Sequence, residues 1–253
     1  MDFSFFVPFD LLPWQWAAWI TLGLCIGLNK AGFTGLTVVI IPVIVSIFGA
    51  KEATGINLPL LCFADLLAVS YYHSHADWKC LFKLLPWTVA GFGVALLVDR
   101  LVPVQAFRYL MGGCIFAGLL VMIWTDRRGK EKPPPSSWWF SALFGIAGGF
   151  STMIGNVAGP IMSVFLLSMR LQKNTFVGTT AWFFFIVNLL KMPLFIFVWK
   201  NVTVKTILFD VTLIPMVVIG AILGIYLVKK ISESVFRKVI VILTLVSSIL
   251  LFI

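Results

Sequence analysis

Charged side chains are scarce in this chain. Only 11% of its 253 residues are Asp, Glu, Lys or Arg, whereas a soluble domain carries about 25% to cover its surface. Beside 60% apolar residues, that scarcity excludes a water-soluble globular protein. No long polar segment is present, so no soluble domain fits between the apolar runs. The first apolar run is preceded by Asp2 and Asp10 and by no basic stretch, so no cleavable signal peptide is expected. Cysteine is sparse as well. Cys25, Cys62, Cys80 and Cys114 lie in or beside apolar runs without a CxxC or metal-like spacing, and read as small packing residues. No HExxH, no paired acids on one face and no other catalytic motif appears, so neither an enzyme nor a bound cofactor is expected. His73-Ser74-His75 with Asp77 lacks further ligands and reads as a wetted loop, not a metal centre.

What the chain does have is a succession of apolar runs, at 14–28, 33–49, 53–72, 80–98, 106–125, 138–151, 157–169, 176–199, 205–228 and 236–253. Runs of about 17–24 residues suffice to cross a hydrocarbon core of about 30 Å. The expected fold is therefore all-α, a polytopic protein whose main partner is the lipid bilayer. Trp14, Trp16, Trp78, Trp124, Trp138, Trp139 and Trp199 stand at segment ends, as in interfacial belts. The net charge of +9 sits in short loops. There it acts as an orientation signal, and no nucleic-acid partner is expected.

The two halves of the chain match. Pro86, Gly91, Phe107 and Arg108 correspond to Pro215, Gly220, Phe236 and Arg237 at one constant offset. Gly55, Asn57 and Asp65 correspond to Gly178, Thr180 and Asn188 at a second, and Gly23-x-x-x-Gly27 corresponds to Gly145-x-x-x-Gly149. This divides the chain into an N-terminal repeat at 1–125, a cytoplasmic linker at 126–137 rich in Arg, Lys and Pro, and a C-terminal repeat at 138–253. Five segments per repeat is an odd number, so the second repeat should be inverted relative to the first. Basic residues favour one side. Lys79, Lys83, Arg127, Arg128, Lys130, Lys132, Arg170, Lys173, Lys229, Lys230, Arg237 and Lys238 fall together on the face assigned to the cytoplasm, and Lys51, Arg100, Arg108, Lys200 and Lys205 on the other. Both termini are then extracellular or periplasmic, with the protein in the plasma (inner) membrane.

The first two segments of each repeat are short, and a glycine-broken stretch separates them. These stretches are Gly27-Leu28-Asn29-Lys30-Ala31-Gly32-Phe33-Thr34-Gly35 and Gly149-Phe150-Ser151-Thr152-Met153-Ile154-Gly155-Asn156-Val157-Ala158-Gly159-Pro160. Short, interrupted segments at matching places in inverted repeats point to a transport site. Each pair reads as a re-entrant hairpin, one from each face, with tips near the midplane. The alternative is two full spans packed through small residues.

Lys30-Ala31-Gly32-Phe33, the stretch Ser151 to Pro160, and Phe176-Val177-Gly178-Thr179-Thr180-Ala181-Trp182 continuing to Asn188-Leu189-Leu190-Lys191 resemble the TauE/SafE family of sulfite and organosulfonate exporters. The resemblance runs over nearly the whole chain. Lys30 and Asn156 depart from the commoner glycine-triplet form of the hairpins. The resemblance implies a secondary carrier of small sulfur-containing anions.

The residues themselves point to an anion. Lys30, Asp65 and Lys191 lie deep in apolar runs, where each costs at least about 2.5–3.5 kcal/mol if lipid-exposed. Asn188 and Lys191 share a helix face, and Thr180 lies two turns earlier on it. Helix N-termini after each tip add partial positive charge. The candidate substrate-binding residues are Lys30, Asn29, Thr34, Asn57, Ser151, Thr152, Asn156, Thr180, Asn188 and Lys191. Asp65 is the candidate coupling group, exchanging a proton or a sodium ion. Blander readings stand beside these. Lys30 and Asp65 could form a permanent ion pair, Lys191 could snorkel, and Ser151, Thr152 and Asn156 could satisfy broken backbone. Asp210 reads as structural. A passive anion channel or a carrier of another organic anion would use the same groups, and nothing in the sequence speaks to oligomeric state.

Overall fold

A computed structural model describes residues 9, 11–98 and 137–250. The run at 106–125, Cys114, Phe107, Arg108 and most of the 126–137 linker lie outside them. The described residues contain helices and no strand: α1 (Pro13–Lys30), α2 (Leu36–Phe48), α3 (Ala50–Tyr72), α4 (Trp78–Val98), α5 (Trp138–Gly155), α6 (Gly159–Ser168), α7 (Lys173–Pro193), α8 (Val204–Val211), α9 (Ile214–Lys230) and α10 (Glu233–Leu250). Among the described residues, Glu52–His75, Trp78–Val98 and Lys173–Val198 are each long and apolar enough to cross a membrane. α8 and α9 pass the same test of length and hydropathy only when taken together, across a bend of 56°.

The helix pairs at the start of each half fold back on themselves. Pro13 opens α1 at a position where no N–H is needed. Gly32 (φ 133°) and Gly35 (φ 108°) then turn the chain in a region closed to residues with a Cβ. α2 returns, bringing Phe48 to within 5.5 Å of Trp19 and 5.0 Å of Phe9 (ring centroids). In the second half Asn156 takes the left-handed conformation (φ 55°), which its short polar side chain tolerates. Pro160 starts α6, which returns Phe165 to within 5.6 Å of Phe140. The first member of each pair is longer than the sequence reading expected. α1 and α5 have 18 residues each, and only α2 and α6, with 13 and 10, are short. Hydropathy ended both runs at polar residues that the helix carries onward to the tip.

The hairpins point at each other. α3 and α7 run antiparallel, since Gly55 lies against Asn201 and Gly178 against His75. The α1–α2 hairpin opens beside the start of α3, where Phe9, Trp19, Phe48 and Phe209 cluster. The α5–α6 hairpin opens beside the start of α7, where Arg237 donates to Leu167 O (3.1 Å). At that same end Lys173 ties α7 to the α9–α10 turn. Its N–H donates to Glu233 (2.6 Å) and its Nζ to Val228 O and Ile231 O.

Glycine sets how closely helices approach, and the close contacts recur at matching positions. A methyl at Gly27 would stand 2.2 Å from Val217 O, and one at Gly220 would stand 2.2 Å from Leu24 O. A methyl at Gly149 would stand 2.0 Å from Thr88 O, and one at Gly91 would stand 2.4 Å from Ile146 O. Under the sequence correspondences these two sets of contacts are the same set. α1 packs on α9 as α5 packs on α4, so the entering helix of each hairpin lies against a helix of the other half.

Candidate functional site

The two hairpin tips and the middles of α3 and α7 enclose the deeply buried charges. Lys30, the last residue of α1, places its Nζ 2.7 Å from Asp65 Oδ1, with the two side chains 6% and 0% exposed. The same ammonium lies 4.4 Å from the centre of the Phe184 ring, a cation–π contact. The other carboxylate oxygen accepts from Asn188 Nδ2 (2.5 Å), a bond from one half of the chain to the other.

Lys191 serves the second hairpin. Fully buried, it donates to Thr152 O (3.1 Å), to Thr152 Oγ1 (2.8 Å) and to Asn156 Oδ1. Three acceptors match the three hydrogens of an ammonium group. They lie at the C-terminal end of α5, the negative end of its dipole. Lys191 therefore does not snorkel. Asn156 also donates from Nδ2 to Thr54 O on α3 (3.1 Å), tying the second tip to the first half. Each half thus has one lysine bridging a hairpin tip to a long helix. In the first the hairpin supplies it, and in the second the helix does. Two lysines and one carboxylate leave the centre with one net positive charge if all are ionised.

The other expected residues divide. Asn29 Oδ1 accepts from Gly35 N (2.8 Å), closing the first tip. The Thr34 hydroxyl lies 2.5 Å from that of Ser163, so the tips touch. Asn57 is buried on α3, and its Oδ1 has no hydrogen-bond partner among the described residues. Ser151 and Thr180 turn their hydroxyls back to their own helices, to Gly148 O (3.0 Å) and Phe176 O (2.8 Å). Asp210 is buried, and neither of its oxygens has a hydrogen-bond partner among the described residues. At the His73–His75 turn, Asp77 accepts from Cys80 N (3.1 Å) at the start of α4.

Several residues at the centre escaped the sequence reading. Phe184 and Phe195 stand under the two ammonium groups. Ser163 meets the first tip, and Ser247 Oγ lies 3.2 Å from Gly35 O. The signal for the last was available, since Thr244, Ser247 and Ser248 share one face of an apolar helix.

Cavities open at both ends of the bundle. One of about 650 Å³ is bounded by Arg170, Gln172, Phe176, Glu233, Phe236 and Arg237. The other, about 380 Å³, is bounded by Glu52, Trp199, Lys200, Asn201 and Thr206 among others. No curated protein and no solved structure matches the chain. A family model described as sulfite exporter TauE/SafE matches residues 19–251. That is nearly the full length, both hairpins included, and the chain belongs to the TauE/SafE family of membrane transporters.

Proposed function

We propose that this chain is an ion-coupled secondary carrier that exports a small sulfur oxyanion, sulfite or a sulfonate, by alternating access. The observation that carries the reading is the pair of buried lysines, Lys30 and Lys191, at the meeting point of two opposed hairpins, with Asp65 as the carboxylate between the halves. An intramembrane ionisable cluster marks a transport pathway, because its cost in lipid is otherwise unrecovered. The two cavities lie at opposite ends of the bundle, and neither is lined by Lys30, Asp65 or Lys191, so each end stays separated from the centre. The basic residues Lys79, Lys83, Arg170, Lys173, Lys229 and Lys230 favour the cytoplasm for the end with the larger cavity, in keeping with a second half inverted relative to the first.

Charge arithmetic gives Asp65 its role in this proposal. With Asp65 ionised, the centre balances a monoanion. With Asp65 protonated, Lys30 is released and the centre carries two positive charges, enough for a dianion. Substrate and proton therefore occupy the site together, and Asp65 cannot reclaim Lys30 until the anion has left.

Sulfite flux from proteoliposomes containing the purified chain tests the reading. A carrier gives flux that saturates with sulfite and follows an imposed proton gradient, and Lys191→Gln abolishes it. Flux that rises linearly with sulfite and ignores the proton gradient identifies a passive pore. Flux that follows only a sodium gradient assigns sodium to Asp65.

A further inference from the structure

The returning helices of the two hairpins begin almost in contact. A methyl at Gly159 would stand 3.5 Å from Gly35 N, and the Thr34 and Ser163 hydroxyls are 2.5 Å apart. α2, with 13 residues, and α6, with 10, both start at this junction. A helix N-terminus carries about half a positive charge and N–H groups without intrahelical partners. Two such ends brought together repel each other unless something negative lies between them. The lysines flank the junction through the chain itself. Asn29, which accepts from Gly35 N, precedes Lys30, and Asn156, held by Lys191, lies just before α6.

α10 covers the junction and runs antiparallel to α6. Its Arg237 reaches Leu167 O at the far end of α6, and its Ser247 reaches Gly35 O at the near end. Thr244 lies one turn before Ser247 on the same face, next to Leu243, whose carbonyl oxygen would stand 3.5 Å from a methyl at Gly35. Its side chain is fully buried, and its Oγ1 has no hydrogen-bond partner among the described residues. Inside a bundle a hydroxyl is normally spent on some acceptor or donor, if only the carbonyl four residues back. Ser247 spends its own that way, on Leu243 O (2.7 Å). Thr244 holds its hydroxyl in reserve.

We propose that the junction of the hairpin tips is an oxyanion subsite. The oxygens of the transported anion are received by the first turns of α2 and α6 and by the Thr244 hydroxyl, while Lys30 and Lys191 supply charge from either side; the Thr34 and Ser163 hydroxyls, bonded to each other and on to Gly159 O (2.9 Å), hold the tips. The subsite rests on the reading of the centre as an anion carrier and names the part of it that recognises shape. A group with three oxygens around one sulfur offers each donor set its own oxygen, and a bare halide does not. Thr244 is a positioning residue for substrate, contributed by the last helix, far in sequence from either hairpin.

Sulfite titration of the purified full-length chain by isothermal calorimetry tests this, with Thr244→Val, Thr244→Ser and Lys191→Gln beside the unaltered chain. Thr244→Val removes only the hydroxyl at constant volume, and is expected to weaken sulfite binding about tenfold with an unchanged melting temperature. Thr244→Ser keeps the hydroxyl and is expected to bind within about twofold of the unaltered chain. Equal affinity for Thr244→Val and the unaltered chain, with binding lost in Lys191→Gln, overturns the subsite and spares the carrier site. Equal affinity in all variants, or no sulfite binding by the unaltered chain, overturns both. Weakening in Thr244→Val and Thr244→Ser alike reduces Thr244 to a packing residue and also overturns the subsite.

Discussion

Lys30 and Asp65 form a buried ion pair, and breaking it from one side should be far more damaging than removing it whole. The two atoms are 2.7 Å apart, and the side chains are 6% and 0% exposed. Asp65→Asn leaves the Lys30 ammonium with an amide and the Phe184 ring, and Lys30→Gln leaves the carboxylate with only Asn188 and an amide. Removing one member of a buried pair costs about 3–5 kcal/mol, because the survivor is desolvated and uncompensated. Replacing both members by neutral groups costs far less, since no charge remains to be solvated. On the scale of soluble chains of this size, where 1 kcal/mol moves the midpoint by about 2–4 °C, each single variant should melt about 10 °C lower. The double variant Lys30→Gln/Asp65→Asn should recover most of that loss. Thermal unfolding of the purified protein in detergent measures all four corners of the cycle. Shifts that simply add in the double variant would refute the pair as an energetic unit. The recovered double variant also separates anchoring from transport. If it folds yet its sulfite flux still follows the proton gradient, Asp65 is an anchor and the proposed coupling role is wrong.

Three further perturbations probe the frame. Gly149→Ala should destabilise by about 1–3 kcal/mol or more, because its methyl would stand 2.0 Å from Thr88 O, whereas Gly93→Ala, with nothing within 4 Å, should be neutral or slightly stabilising. Equal melting temperatures for the two would mean that α4 and α5 are not in backbone contact. Thr34→Cys with Ser163→Cys, in a background without the native cysteines, should oxidise readily to a disulfide, since the two hydroxyls are 2.5 Å apart; added sulfite should slow the reaction, and a pair that never cross-links argues against touching tips. Ser137→Cys should react with an impermeant maleimide only from the cytoplasmic side and Lys205→Cys only from the opposite side. Labelling of both from one face would contradict the proposed orientation.

Charge made the centre legible in the sequence. Lys30, Asp65 and Lys191 stand out in apolar runs, and the structure draws all three together with Asn188 and Thr152. Hydroxyl groups are harder to read. Helical periodicity put Thr180 on the face of Asn188, but it cannot tell a hydroxyl that faces a ligand from one returned to its own carbonyl, which is what Thr180 and Ser151 do. Ser163, Thr244 and Ser247, of which the first and last also return their hydroxyls to their own helices, were missed for another reason. A lone hydroxyl scarcely lowers hydropathy, so each passed as part of an apolar helix. The ends of α1 and α5 failed for a tertiary reason. Asn29, Lys30, Ser151 and Thr152 look like loop in isolation, yet they stay helical because acceptors and donors from α3, α7 and the tips themselves satisfy them. The matching of the halves was visible in glycine spacing. The partner of each glycine was not, because contact across halves follows from the fold and not from neighbouring sequence.

That exchange of partners bears on how such a site could open. The contacts between α1 and α9, and between α4 and α5, are backbone to backbone through glycine, and packed surfaces of that kind move as units. The contacts made by the hairpin tips, to each other and to α3, are of another kind. They are single hydrogen bonds, Thr34 to Ser163 and Asn156 to Thr54 O, each worth only about 0.5–1.5 kcal/mol. In the proposed cycle the rigid pairs would carry the hairpins, and the tips would exchange partners. An anion arriving between them competes for the donors that now hold the tips together, so its binding energy goes directly into parting them. Lys30 and Lys191 would be the hinge points of the exchange, because each is bonded on one side to a tip and on the other to α3 or from α7. In that proposed cycle, a site closed by its own carboxylate and hydroxyls would not pass the coupling ion without substrate, which is the property that a coupled carrier needs and a pore lacks.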